Sequence, residues 1–165
     1  MNKNLALVWI FTFVVLVFQL WSAYDTLPER MPSHFNSQGE ADGYSTKSQF
    51  YSLWFFTLAL LNILLPSVNL LLKVVPSSMI NIPNREYWFA VPDRKREVIA
   101  KMTNLMVALA VCLNVMFFLI FESIRSFALT GTASVPIWAP FALLPIIMVG
   151  PIVYLYRTFR VPTAR

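Results

Sequence analysis

The chain has 165 residues, of which 58% are hydrophobic, 15% aromatic and only 13% charged. A soluble domain carries about 25% charged residues, so a water-soluble globule is excluded. Four glycines and a single cysteine, Cys112, exclude a collagen-like chain and a disulfide scaffold. An integral membrane protein remains.

The charges are segregated, leaving four charge-free stretches at 5–24, 50–72, 102–121 and 135–156. Each has 20 to 23 residues, and about 20 residues of helix at ~1.5 Å each cross a ~30 Å hydrocarbon core. None alternates polar and apolar residues as a barrel strand does. Lipid offers no partner to a free backbone group, so each stretch is expected to be a helix. The sequence therefore predicts an all-α integral membrane bundle of four transmembrane helices. The first stretch follows Lys3 as a signal peptide would. It is too long for an h-region, and Leu20-Trp21-Ser22-Ala23 is a poor cleavage site, so it reads as an uncleaved anchor.

Orientation follows from the short loops. Lys3, Lys73, Arg85, Arg94, Lys95, Arg96, Lys101, Arg157, Arg160 and Arg165 fall on one side, and Arg30, Lys47 and Arg125 on the other. This asymmetry places both termini and the 73–101 loop in the cytoplasm and turns the 25–49 and 122–134 loops outward. The run Asp93-Arg94-Lys95-Arg96 reads as a topology signal beside anionic lipid and not as a nucleic-acid patch. Asp93 is a candidate N-cap for the helix entering the third span. Trp21, Tyr24, Tyr51, Trp54 and Trp138 at outer span ends read as interfacial anchors, with Trp9, Tyr154 and Tyr156 at inner ends.

No Asp, Glu, Lys, Arg or His lies inside a span, which argues against an ion-coupled carrier, proton pump or voltage sensor. The polar residues at depth are Gln19, Asn62, Asn69, Asn104 and Asn114. Asn62 and Asn114 sit near the middle of spans two and three and are expected to pair across helices as structural glue. Ala108 and Cys112 form one small-xxx-small step. The fourth stretch holds Pro136, Pro140, Pro145 and Pro151: the first can open a helix, and the others kink it.

The outer loop 25–49 carries the only histidine, His34, four acids (Asp25, Glu29, Glu40, Asp42) and two of the glycines, Gly39 and Gly43. Pro28 and Pro32 favour extended backbone before them, and 36–39 and 42–43 read as tight turns. A compact folded cap is expected. A metal site could use His34 with Asn36, Glu40 or Asp42, but one histidine without a ligand-spaced partner is a poor set. Catalysis by His34 with Asp25 or Asp42 has no placed Ser or Cys nucleophile. The favoured reading has His34 and Asp42 bonding the loop into shape, and the shaped surface meeting a partner. No metal, cofactor or enzymatic activity is expected.

The pattern Leu27-Pro28, Pro32, His34-Phe35-Asn36, Gly39, Asp42-Gly43-Tyr44, Lys47, directly after a first span, resembles the SdpI-like family of bacterial membrane proteins. Their shared N-terminal module, a domain of unknown function, carries a similar run. The resemblance covers span one, the outer loop and span two. It implies a bacterial inner-membrane protein, and members include an immunity protein that shields its producer from a secreted toxic peptide and sequesters a repressor at the membrane. That protein continues into a longer helical module, whereas two spans follow here. The resemblance therefore implies candidate partner-binding residues His34, Asn36, Asp42, Gly43, Pro32, Gly39 and Lys47.

The chain divides into a module at 1–72, a basic and aromatic loop at 73–101, and spans three and four with a basic tail at 102–165. Tyr87-Trp88-Phe89 in that loop is expected at headgroup level, and the tail is expected to end at the lipid surface. The expected function is a non-enzymatic membrane protein whose outer loop binds or senses a protein or peptide. An accessory subunit of a larger membrane complex is the second reading. A facilitator for a neutral solute, using Asn62, Asn114 and the span-four prolines, is the third.

Overall fold

A computed structural model describes residues 1–161; Pro162 and Arg165 of the basic tail lie outside them. Four helices are long and apolar enough to cross a membrane, so this is a multi-pass membrane protein. Helix α1 spans Lys3–Ala23, α2 Lys47–Val74, α4 Pro92–Thr130 and α5 Leu144–Thr158, with a short helix α3 at Arg85–Phe89 between the second and third. Between α1 and α2 lie two antiparallel strands, β1 (Arg30–Phe35) and β2 (Ala41–Thr46). The loop expected to be a compact cap is a β-hairpin, an exception to an otherwise all-α fold.

Helices α1 and α2 begin where a side chain takes up their free N–H groups. Asn2 caps α1, its Oδ1 accepting from the backbone of Asn4 at 2.9 Å and Leu5 at 3.3 Å. Its own N–H donates to Oδ1 of Asn104 at 2.9 Å, tying the start of α1 to α4. Thr46 and Gln49 form a reciprocal capping box that turns β2 directly into α2. At α4 the cap is Val91, with Pro92 in the first helical position and Asp93 one residue inside. Asp93 is therefore not the N-cap: Pro92, with its fixed φ, starts the helix two residues earlier than an Asp93 cap would. Gly131, with φ 75°, ends α4 by donating to the Phe127 carbonyl at 2.8 Å.

Helix α4 is the axis, packing on α1 along one side and α2 along another. At the hairpin end, Phe50, Tyr51, Trp54, Phe117 and Phe121 meet at tilted and edge-on angles with ring centroids 5.4–6.3 Å apart. Tyr51 and Trp54 are buried here and are not interfacial anchors. The reason is that the hairpin covers this end of the bundle. Tyr51 Oη donates to the Leu20 carbonyl at 3.0 Å. Trp21 and Trp138 are exposed, as belt residues are.

At the opposite end, Trp88, Val98, Leu72, Ile80, Ile82 and Phe159 form a second cluster. Trp88 Nε1 and Asn84 Nδ2 both donate to the Phe159 carbonyl, at 2.9 and 2.8 Å. Trp88 is thus a buried lock and not a headgroup contact, and Phe159 of the tail is buried beneath it. Helix α5 buries no residue of its own. The fourth charge-free stretch is helical only from Ala139, first as a tight 3₁₀ turn to Leu143 and then as α5. Pro136 precedes this helix, because Pro136 and Pro140 deny it the N–H groups an earlier start would use.

Candidate functional site

The hairpin is shaped by two irregularities. Its register pairs Pro32 with Tyr44, then His34 with Gly43, then Phe35 with Ala41. Ser33 on β1 and Asp42 on β2 are each the extra residue of a bulge. Asp42-Gly43 is therefore a strand irregularity and not the expected turn. The turn is 36–40. There the Asn36 side chain accepts from the backbone of Gln38 at 3.0 Å and of Glu40 at 2.9 Å, and Gly39 takes φ 81°.

The bulges turn the Asp42 carboxylate onto Nδ1 of His34, and the two side chains are hydrogen-bonded. Gly43 lies behind that histidine: a Cβ there would come within 2.8 Å of the His34 Cβ. Pro32, which has no N–H to give a ladder, sits at the first bulge and is fully buried.

Lys47 roots the hairpin. Its ammonium is buried and donates to the carbonyls of Leu27 at 3.1 Å and Tyr24 at 3.3 Å, and pairs with Glu29 at 3.0 Å. The chain leaving α1 is thereby held against the start of α2. Buried Met31 and Leu27 complete the attachment to the aromatic cluster.

Between the hairpin, α4 and the 131–143 connection runs a cleft. Its outer part, of about 610 Å³, is lined by Phe35 to Gly39 on one wall and by Ala133, Pro136, Ile137, Trp138 and Phe141 on the other. An inner part of about 280 Å³ continues past Phe35, Ile137 and Phe141 to Ser33, His34, Ile120, Ser123 and Ile124. The floor is apolar, and the rim offers amides, the carboxamides of Asn36 and Gln38, and an imidazole. Phe35 is fixed edge-on against Phe127 of α4, with ring centroids 5.1 Å apart. Such a surface suits recognition of an extended apolar segment with polar backbone. Among the described residues, no three His, Cys, Asp or Glu side chains gather in a way that could hold a metal ion.

The structure thus brings His34, Asn36 and Gly39 to the cleft. Asp42 and Gly43 position His34, and Pro32 and Lys47 secure the hairpin. Ile137, Trp138 and Phe141 were not legible as site residues, because in sequence they are indistinguishable from the rest of an apolar span.

Asn62 and Asn114 lie elsewhere, at depth between α2 and α4. They exchange two hydrogen bonds, at 2.9 and 3.0 Å. Trp9 Nε1 donates to Asn62 Oδ1 at 2.8 Å, and Asn114 Nδ2 to Thr12 Oγ1 at 3.4 Å, so the pair joins three helices. Trp9 belongs to this network and not to an interfacial belt.

Residues 8–61 match the family model described as a domain of unknown function, DUF1648. They hold most of α1, the whole hairpin and the first half of α2. No curated protein and no solved structure matches the chain.

Proposed function

From a multi-pass membrane chain with a DUF1648 match over its hairpin module, we propose a non-enzymatic receptor of a bacterial cytoplasmic membrane. Both termini face the cytoplasm, and the hairpin cleft binds a peptide or protein segment at the outer face. The observation that carries this reading is the cleft itself, with an apolar floor between Phe35 and Phe141 and a polar rim at Asn36 and His34. The skew of Lys and Arg toward the end opposite the hairpin supports the orientation. The DUF1648 match covers the segment that resembles the SdpI-like module, which supports membership of that group. Immunity to a secreted toxic peptide, or signalling on its arrival, is the sharpest form of the proposal.

Photo-crosslinking in native membranes tests it. A crosslinking residue at Ile137 or Gln38, which face the cleft, should capture a discrete peptide or protein. The same residue at Ile146, exposed on α5, should give lipid adducts alone. Lipid adducts at all three positions would overturn the proposal.

A second reading, an accessory subunit of a larger membrane complex, draws support from α5, which buries none of its residues. Large subunits co-purifying in fixed ratio, and crosslinked from Ile146, would favour it.

A further inference from the structure

A second groove runs along the bundle between α1 and α4 and shares no lining residue with the hairpin cleft. Its upper part, of about 430 Å³, is bounded by Gln19, Ser22 and Thr26 of the α1 end and by Glu122 and Arg125 of α4. A lower part of about 160 Å³ continues past Val15 and Phe118 to Phe11, Thr12 and Asn114. From Thr12 to Thr26 the groove follows roughly 21 Å of helix, longer than one leaflet's half of a ~30 Å core.

Polarity changes along its length. Below Phe118 the walls are almost wholly apolar. At the top, Glu122 and Arg125 pair through two hydrogen bonds of 2.6 and 2.9 Å, immediately beyond the charge-free stretch of α4. Exposed Trp21 marks the same level on α1, where aromatic residues meet headgroups. Both charges stay accessible, with side-chain exposures of 24% for Glu122 and 35% for Arg125. Gln19 Nε2 donates to Glu122 at 3.2 Å and to the Phe118 carbonyl at 3.4 Å, which orients the amide. Its Oε1 then accepts from nothing, although it is buried.

We propose that this groove is a binding site for one phospholipid with a primary-amine headgroup, of the phosphoethanolamine class. Its phosphate faces Arg125, its ammonium faces Glu122, and one acyl chain lies over Val15 and Phe118. A zwitterion matches a net-neutral acid–base pair, whereas an anionic headgroup brings no cation to Glu122. The open acceptor on Gln19 distinguishes among zwitterions. An ammonium with N–H groups can donate to it as well as to Glu122, after a small rotation of the amide. A quaternary choline has no N–H to donate.

The first arm of the test uses the wild-type chain. Purified protein is placed in nanodiscs containing a fixed anionic lipid plus one member of the series phosphatidylethanolamine, its N-methyl and N,N-dimethyl forms, and phosphatidylcholine. Lipid retained after transfer to detergent is counted by native mass spectrometry. One tightly held lipid per chain is expected with phosphatidylethanolamine, and retention should fall with each N–H lost, reaching at least tenfold for choline. Equal retention across the series would overturn the proposal. Two variants make the assignment local. Glu122→Gln and Gln19→Leu should each flatten the series, whereas Met79→Ala, exposed between α2 and α3, should leave it unchanged. A full gradient in both groove variants would equally overturn the proposal.

Discussion

Gly43 has no room for a side chain, because the bulged register brings it against the Cβ of His34. That neighbour is anchored at the backbone and cannot swing aside. Gly43→Ala should therefore force the strands apart at a cost of about 1–3 kcal/mol, the range for overpacking. Limited proteolysis should show faster cleavage within 30–46, with membrane level unchanged. Gly39→Ala makes a useful contrast. Nothing would touch its Cβ, but φ 81° strains any L side chain by roughly 1–2 kcal/mol. Lys47→Met should cost more than either. It removes hydrogen bonds from a charged donor, each worth about 1.5–3 kcal/mol, and strands the carbonyls of Tyr24 and Leu27. A lowered Tm in detergent would show it; an unchanged Tm would mean that water replaces the ammonium.

At the level of elements, hydrophobic burial gives helices little reason to associate in lipid, so packing and polar contacts must hold the bundle. The Asn62–Asn114 pair is the main interhelical contact of this kind, and Trp9 extends it to α1. Replacing both asparagines by leucine, singly and together, gives a double-mutant cycle. A coupling of about 0.6–2 kcal/mol is expected, measured by reversible unfolding in mixed micelles. Zero coupling would mean that each amide finds an equivalent partner when the other is lost. The hairpin is the element that places the cleft. Without its tether through Lys47 and its seat on Phe127, two strands would not be stable alone.

For the whole molecule, the four spans alternate direction, so the hairpin and the α3 cluster lie at opposite ends. The Lys and Arg distribution then predicts which end meets the cytoplasm. Single cysteines at Ser37 and Ser78, in a Cys112→Ser background, report it directly. A membrane-impermeant maleimide should label position 37 in intact cells and position 78 only after lysis; the reverse pattern would invert the proposed topology.

Sequence by itself determined the spans, because helix length and absence of charge are imposed by bilayer thickness and need no neighbour. It also reached two side-chain pairings. Lone amides in hydrocarbon have few alternatives to each other, and one histidine in a loop rich in acids has few alternatives to a carboxylate. Only the tertiary structure decided the rest. Whether 25–49 is a turn-rich cap or a hairpin depends on register, and the bulges at Ser33 and Asp42 are fixed by packing on α4 and by the buried root at Lys47. The opposite wall of the cleft comes from 131–143, about a hundred residues away, where Ile137 and Phe141 have the composition of any lipid-facing segment. Tyr51, Trp54 and Trp88 read as interfacial because aromatics favour headgroups, yet they are buried where the hairpin and the Phe159 turn cover them. Composition records how apolar a residue is; only the fold determines whether lipid or protein meets it.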